Sequence, residues 1–262
     1  MTSTLELPIN QNAEPAFMDQ KYSLKTLIFM LLSRIALFII FQSLIFAGFL
    51  IAKFPSSWME ATRYWPFVVA AANLVCLFLL DSLLKRESSG FWRFFTFVRG
   101  TIIKDFLTAN GLMILSGPIA YLPNLLLGNF LFGDYMEAIN LFYRPLPPWA
   151  AWAALIVFPL TMPLGELTTY FGYVMPRLEI ITQNKWLSLT LPSLMLSFQH
   201  VAVPLLFDTR FMIWRLFMFL PFALIVGFII RWRPRLLPYM LIGHAMIDIM
   251  TVVTLLSMSL PK

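Results

Sequence analysis

Long apolar runs alternate with short polar links along this chain. Cutting it at the charges leaves seven apolar segments, roughly residues 35–52, 64–80, 106–132, 147–164, 186–207, 216–230 and 236–260. A helix needs about 20 mostly apolar residues to cross the hydrocarbon core of a bilayer, so each segment is expected to be a membrane helix. The third holds Gly117, Pro118 and Pro123, residue types that bend or break helices. It is expected to be kinked or split, which leaves room for an eighth membrane-embedded piece. The first is expected to reach back toward Leu27, with Arg34 snorkelling its guanidinium to the headgroups. The fold class that follows is all-α, a polytopic transmembrane helical bundle of about 7–8 membrane helices.

Composition strengthens that reading. Apolar residues make up 60% of the chain and charged residues 12%, against about 45–50% and about 25% in ordinary globular proteins. A soluble domain of this size could not bury so much apolar surface and still wet its exterior, and disordered chains are poor in aromatic and β-branched residues. The single cysteine, Cys76, sits in an apolar run. It excludes a disulfide framework and a cysteine-based zinc site.

The net charge of +6 lies mainly in the links between apolar runs, where Lys and Arg orient membrane helices. The expected partner is therefore the lipid bilayer, with no nucleic acid. With seven spans, thirteen of the nineteen basic residues fall on the side of the N-terminus and of the links after the second, fourth and sixth helices. The positive-inside rule then places the N-terminus in the cytosol. Residues 1–20 contain Glu6, Glu14 and Asp19 but no Lys or Arg, unlike a secretory signal. Residues 1–26 are read as a polar cytosolic arm and 27–262 as a single transmembrane domain. Short loops and compact length fit a bacterial inner (plasma) membrane. Residues 88–99 mix Phe91, Trp92, Phe94, Phe95 and Phe97 with Arg93 and Arg99, a composition that suits a helix in the headgroup layer.

Ionisable side chains deep in membrane spans are costly, and each one is a functional hypothesis. The only two histidines, His200 and His244, fall in apolar segments. Asp248 follows His244 by four residues, on the same helix face. Glu166 lies where the fourth span is expected to end. With Thr190 as cap and Pro192 in the first turn, His200 would sit about 12 Å into the fifth helix. His244, nine residues past Arg235, would sit about 13–14 Å in. The four groups are thus expected to converge on one pocket below the cytosolic surface.

A glutamate beside a histidine can activate water, and a second histidine oriented by a carboxylate can donate to an oxyanion. Hydrolysis of an amide bond at the membrane is the reaction this suggests. Glu166, His200, His244 and Asp248 are also a credible zinc ligand set, although no His-Glu-x-x-His helix is present. A chain of such groups can equally relay protons in a transporter.

The sequence resembles the CAAX prenyl protease and bacteriocin-processing (CPBP, or Abi) intramembrane proteases, whose signatures are Glu-Glu-x-x-x-Arg, Phe-x-x-x-His and His-x-x-x-Asn/Asp. Gly165-Glu166-Leu167 through Pro176-Arg177-Leu178 looks like the first, Leu196 to His200 stands where the second is expected, and His244 to Asp248 fits the third. The match covers about residues 147–255, which the resemblance makes the catalytic core. It implies an intramembrane endopeptidase acting on a membrane-anchored, lipidated or leader-bearing substrate, with no metal cofactor required. Glu166 and His200 would activate the water, and His244 with Asp248 would hold the oxyanion. The chain departs from the pattern at Leu167, Phe171 and Leu196. Joint loss of the second Glu and the Arg reads as replacement of a structural ion pair. The alternative is a non-catalytic scaffold or immunity protein of the same build.

Overall fold

The structure, a computed structural model, describes residues 23–261. Most of the expected polar arm, with Lys21, lies outside the described residues, as does Lys262. The chain forms α1 (Leu24–Ile51), a short α2 (Ser57–Arg63), α3 (Trp65–Arg86), a 3-10 turn at Phe91–Phe95, α4 (Ile102–Leu115), α5 (Gly117–Phe132), α6 (Tyr135–Phe142) and α7 (Pro148–Leu167). A π-helical stretch, Thr168–Val174, carries α7 on into α8 (Met175–Thr182). There follow α9 (Lys185–Gln199), α10 (Thr209–Trp232), a 3-10 turn at Pro234–Leu236 and α11 (Leu237–Ser259). Six helical stretches are long and apolar enough to cross a membrane. This is an all-α integral membrane bundle, without β-strands among the described residues.

Six of the seven expected segments become spans of this kind; the fifth does not. Residues 186–207 give the 15-residue α9 and then a non-helical return over 200–208. At about 1.5 Å per residue α9 is some 22 Å long, short of the roughly 30 Å core. Irregular backbone at this depth needs internal hydrogen-bond partners, and other helices provide them. Gln42 of α1 both donates to the Leu205 carbonyl (2.8 Å) and accepts from the Leu205 amide (2.9 Å), and Trp58 donates to the same carbonyl (3.0 Å). Arg215 of α10 donates to the carbonyls of His200 (3.2 Å) and Val203 (2.8 Å).

Three helix starts have side-chain caps. Asp134, Asn184 and Asp208 each accept from backbone amides in the first turn of α6, α9 and α10, groups that would otherwise go unbonded. Asn184 rather than Thr190 caps α9, and Pro192 lies inside it. His200 is therefore at the far end of α9 and not eight residues into it. The third segment is broken at Ser116 between α4 and α5, as Gly117 and Pro118 imply. The 88–99 link forms only a 3-10 turn, with Trp92 exposed and Phe94 buried.

The two ends of the bundle are built differently. At the basic end, where α1 starts and α3, α8 and α10 finish, three carboxylates tie elements together. Glu87 pairs with Arg177, Glu179 with Arg231 (2.8 Å) and Asp105 with Arg235 (3.1 Å). A buried cluster including Leu27, Leu84, Phe94, Tyr173, Val174 and Leu236 fills the space between. Toward the opposite, far end a second cluster, including Trp65, Phe142, Phe158 and Trp214, surrounds a cavity. α11 and α3 pack on α7, while α9 and α5 pack on α10. Ser193 and Ser197 of α9 donate to the Ala223 (3.4 Å) and Leu216 carbonyls of α10, and Gly227 admits Phe171 and Leu189 where a Cβ would collide. Small and hydroxyl residues at helix contacts are the usual means of close packing in membranes.

Candidate functional site

The site begins on α1. Leu27, Leu31, Arg34, Phe38 and Gln42 are buried at helical spacing, so they form one inward stripe. Arg34 is therefore not at the headgroups, as snorkelling would have it; its relative exposure is 0%. A guanidinium inside a bundle requires partners on every edge. Nε donates to Gln199 Oε1 (2.6 Å), Nη1 to Asn73 Oδ1, and Nη2 lies 3.5 Å from Met162 Sδ and 4.0 Å from Glu166 Oε2.

Glu166 likewise departs from expectation. It does not close a helix at the interface. Helical conformation runs on past it to Thr182, leaving the carboxylate mid-span and 1% exposed. The preceding residue explains how a guanidinium comes so near. A Cβ on Gly165 would lie 2.7 Å from Arg34 Nη1 and 2.5 Å from Asn73 Oδ1, so only glycine lets this pair lie against α7. The two carboxylate oxygens of Glu166 have different surroundings. Oε2 accepts from Gln199 Nε2, and Oε1 faces His244 Nε2 at 3.6 Å.

Gln199 is the connector. Its carbonyl oxygen accepts from Arg34 and lies 3.3 Å from the Tyr170 hydroxyl, while its amide donates to Glu166. The run Arg34–Gln199–Glu166 is oriented in one sense throughout, which fixes the amide and pins one edge of the carboxylate.

His244 and Asp248 share a face of α11, as their spacing dictates, with Nε2 to Oδ2 at 3.5 Å. His244 Nε2 thus stands between two carboxylates, at distances beyond direct hydrogen bonding from both. Polar groups so spaced can both reach a small molecule or substrate atom that lies beside them. His244 Nδ1 and Asp248 Oδ2 are buried without a hydrogen-bond partner among the described residues, an arrangement that native interiors avoid unless something is bound there.

His200 stands apart from that triangle. Its Nδ1 bonds the Leu196 carbonyl at 2.9 Å, and its ring lies on Phe219 with centroids 4.1 Å apart. Of the four residues singled out from sequence, His244 lies 3.6 Å from Glu166 and 3.5 Å from Asp248. His200 shares their cavity without touching Glu166, and its neighbour Gln199 takes the place next to the carboxylate. The cavity, about 330 Å³, is lined at one end by Glu166, His244 and Asp248 and at the other by Trp65, Tyr135, Phe142 and Arg215. It extends from mid-bundle toward the far end. Leu167, Leu196, Ala223 and Val226 of the basic-end cluster also line it.

Sequence reasoning passed over Asn73, Gln199 and Arg215 as site residues and assigned Arg34 to the headgroups. A period-3.6 reading of α1 would have placed Arg34 inside, since it falls on the stripe of Leu27, Leu31 and Phe38. Among the described residues no group of three or more His, Cys, Asp and Glu side chains has an arrangement that could hold a metal ion. Comparison with protein-family models, curated proteins and solved structures finds no match.

Proposed function

We propose that this protein is an intramembrane endopeptidase of the CPBP type, in which Glu166 activates water against a peptide bond held in the cavity. The observation that carries the reading is the asymmetric Glu166 carboxylate. One oxygen is pinned by Gln199, and the other faces His244 at 3.6 Å, so that a water lying beside the pair in the cavity can contact both. In the ionised form Oε1 takes the proton as the water attacks, which makes Glu166 the general base. His244, placed between Glu166 and Asp248, donates from Nε2 to the developing oxyanion or passes the proton to the leaving amine. Asp248 orients it. His200 lines the cavity wall and holds the turn after α9, a positioning role that differs from the water-activating role implied by the family resemblance.

The departures from the family pattern fit this reading. Leu167 and Phe171 are packed in the apolar core, and the guanidinium nearest Glu166 is that of Arg34, from another helix. Substrates of this site are membrane-associated peptides or lipidated or leader-bearing proteins. The membrane proposed is a bacterial plasma membrane, with the N-terminus cytosolic.

The test is N-terminal peptide profiling of membranes that contain either the wild-type protein or Glu166→Gln. New termini present with the wild type should fall by about 10²–10⁴-fold in the variant, the usual size of a general-base contribution, while insertion and helix content persist. An unchanged set of termini would remove the mechanism and leave the non-catalytic scaffold.

A further inference from the structure

We propose that the far end of the cavity is a carboxylate-binding subsite built on Arg215. This goes beyond the hydrolase reading, because it specifies the charge of the occupant whether that occupant is cleaved or only held.

Arg215 is 2% exposed and lines the cavity at the end opposite Glu166. Its polar contacts are all neutral: the carbonyls of His200 (3.2 Å) and Val203 (2.8 Å), and the Met218 sulfur at 3.7 Å. A guanidinium has five N–H donors, so two remain unassigned and one meets only sulfur. No carboxylate of the described residues lies within 4 Å of it. The remaining surroundings are aromatic, with Phe142, Phe219 and Trp214 at 4.3, 5.3 and 5.8 Å from the guanidinium carbon.

A buried cation without a counter-charge is the arrangement that proteins ordinarily avoid. The two carbonyl bonds account for how Arg215 is held, but they do not neutralise it. They leave a rigid fork turned toward an apolar cavity, and a planar carboxylate is the group such a fork matches in two parallel bonds. The opposite end sharpens the point. Glu166 and Asp248 would repel an anion there, so an occupant with one carboxylate is oriented with that group at Arg215 and its uncharged part toward His244. Two sources have this chemistry, the free C-terminus of an apolar peptide and the head of a fatty acid.

The experiment uses the full chain in a nonionic detergent, with tryptophan emission as readout because Trp214 adjoins the site. Four probes are titrated: N-acetyl-Leu-Phe-Leu as the free acid and as the C-terminal amide, and decanoic acid and its methyl ester at a pH where the acid is ionised. At least one acid should bind about tenfold more tightly than its neutral twin, as charge-assisted bonds allow. That preference should collapse to within about twofold in Arg215→Gln. Preference confined to the peptide acid assigns a peptide terminus, and preference confined to decanoate assigns a fatty acid. Acids that bind no better than their twins in the wild type would overturn the subsite, as would a preference surviving in Arg215→Gln. If the Gln variant does not fold, Arg215→Lys takes its place, since it keeps the charge but loses the fork. Its preference should drop several-fold, and an unchanged preference would likewise overturn the assignment.

Discussion

Two buried arginines, Arg34 packed behind Glu166 and Arg215 in the wall of the cavity, are treated in opposite ways. Arg34 is enclosed by an amide oxygen from Gln199, another from Asn73, the Met162 sulfur and the Glu166 carboxylate. Its charge is spent inside the fold, and the result is a glutamate whose outer oxygen has one orientation. Arg215 is held by backbone carbonyls and aromatic rings, with its charge uncompensated. A buried charge that meets an opposite charge fixes structure, whereas one that meets only neutral acceptors is available to a ligand. The cavity has an electrostatic direction because Glu166, backed by Arg34, lines one part of it and Arg215 another.

Substitutions can break this comparison, and the largest effect on stability is expected at Arg34. Arg34→Met leaves Glu166 without its cation and Gln199 without its main donor, and breaking a buried pair from one side typically costs about 3–5 kcal/mol. Combining it with Glu166→Gln should cost less than the two single losses added, because both charges then leave together. Unfolding of the four proteins in mixed micelles measures this coupling, and strict additivity would show that the two groups do not interact.

Gly165→Ala comes next. The added Cβ pushes on Arg34 and Asn73, with an expected penalty of about 1–3 kcal/mol and a loss of cleavage as the carboxylate shifts. Arg215→Met should be the mildest of the three in stability, at about 1–2 kcal/mol for carbonyls that lose a donor, since no carboxylate is stranded. A penalty equal to that of Arg34→Met would mean that Arg215 has an internal counter-charge after all.

Much of the fold is legible in hydropathy alone, because a membrane helix must be long and apolar whatever its neighbours. What hydropathy does not carry is direction around the helix axis. Arg34 reads as a snorkelling residue when only its depth is weighed, and as a buried one when its place on the stripe from Leu27 to Gln42 is weighed. The end of α9 escaped for a different reason. Residues 200–207 are as apolar as a helix, and their irregular path is licensed by Gln42, Trp58 and Arg215, which are far away in sequence. Asp248 was placed beside His244 because one helical turn joins them. The partner of Glu166 could not be found that way, since α7, α9 and α11 meet only in the folded bundle.

The central claim is that Glu166 works with His244 and not with His200. Cleavage rates of His244→Ala and His200→Ala, measured beside the wild type on the same substrate with folding checked by helix content, test it most directly. The geometry predicts a loss of about 10²-fold or more for His244→Ala and a loss within about tenfold for His200→Ala, whose imidazole meets only the Leu196 carbonyl and the Phe219 ring. The reverse order, with cleavage lost in His200→Ala and retained in His244→Ala, would contradict it.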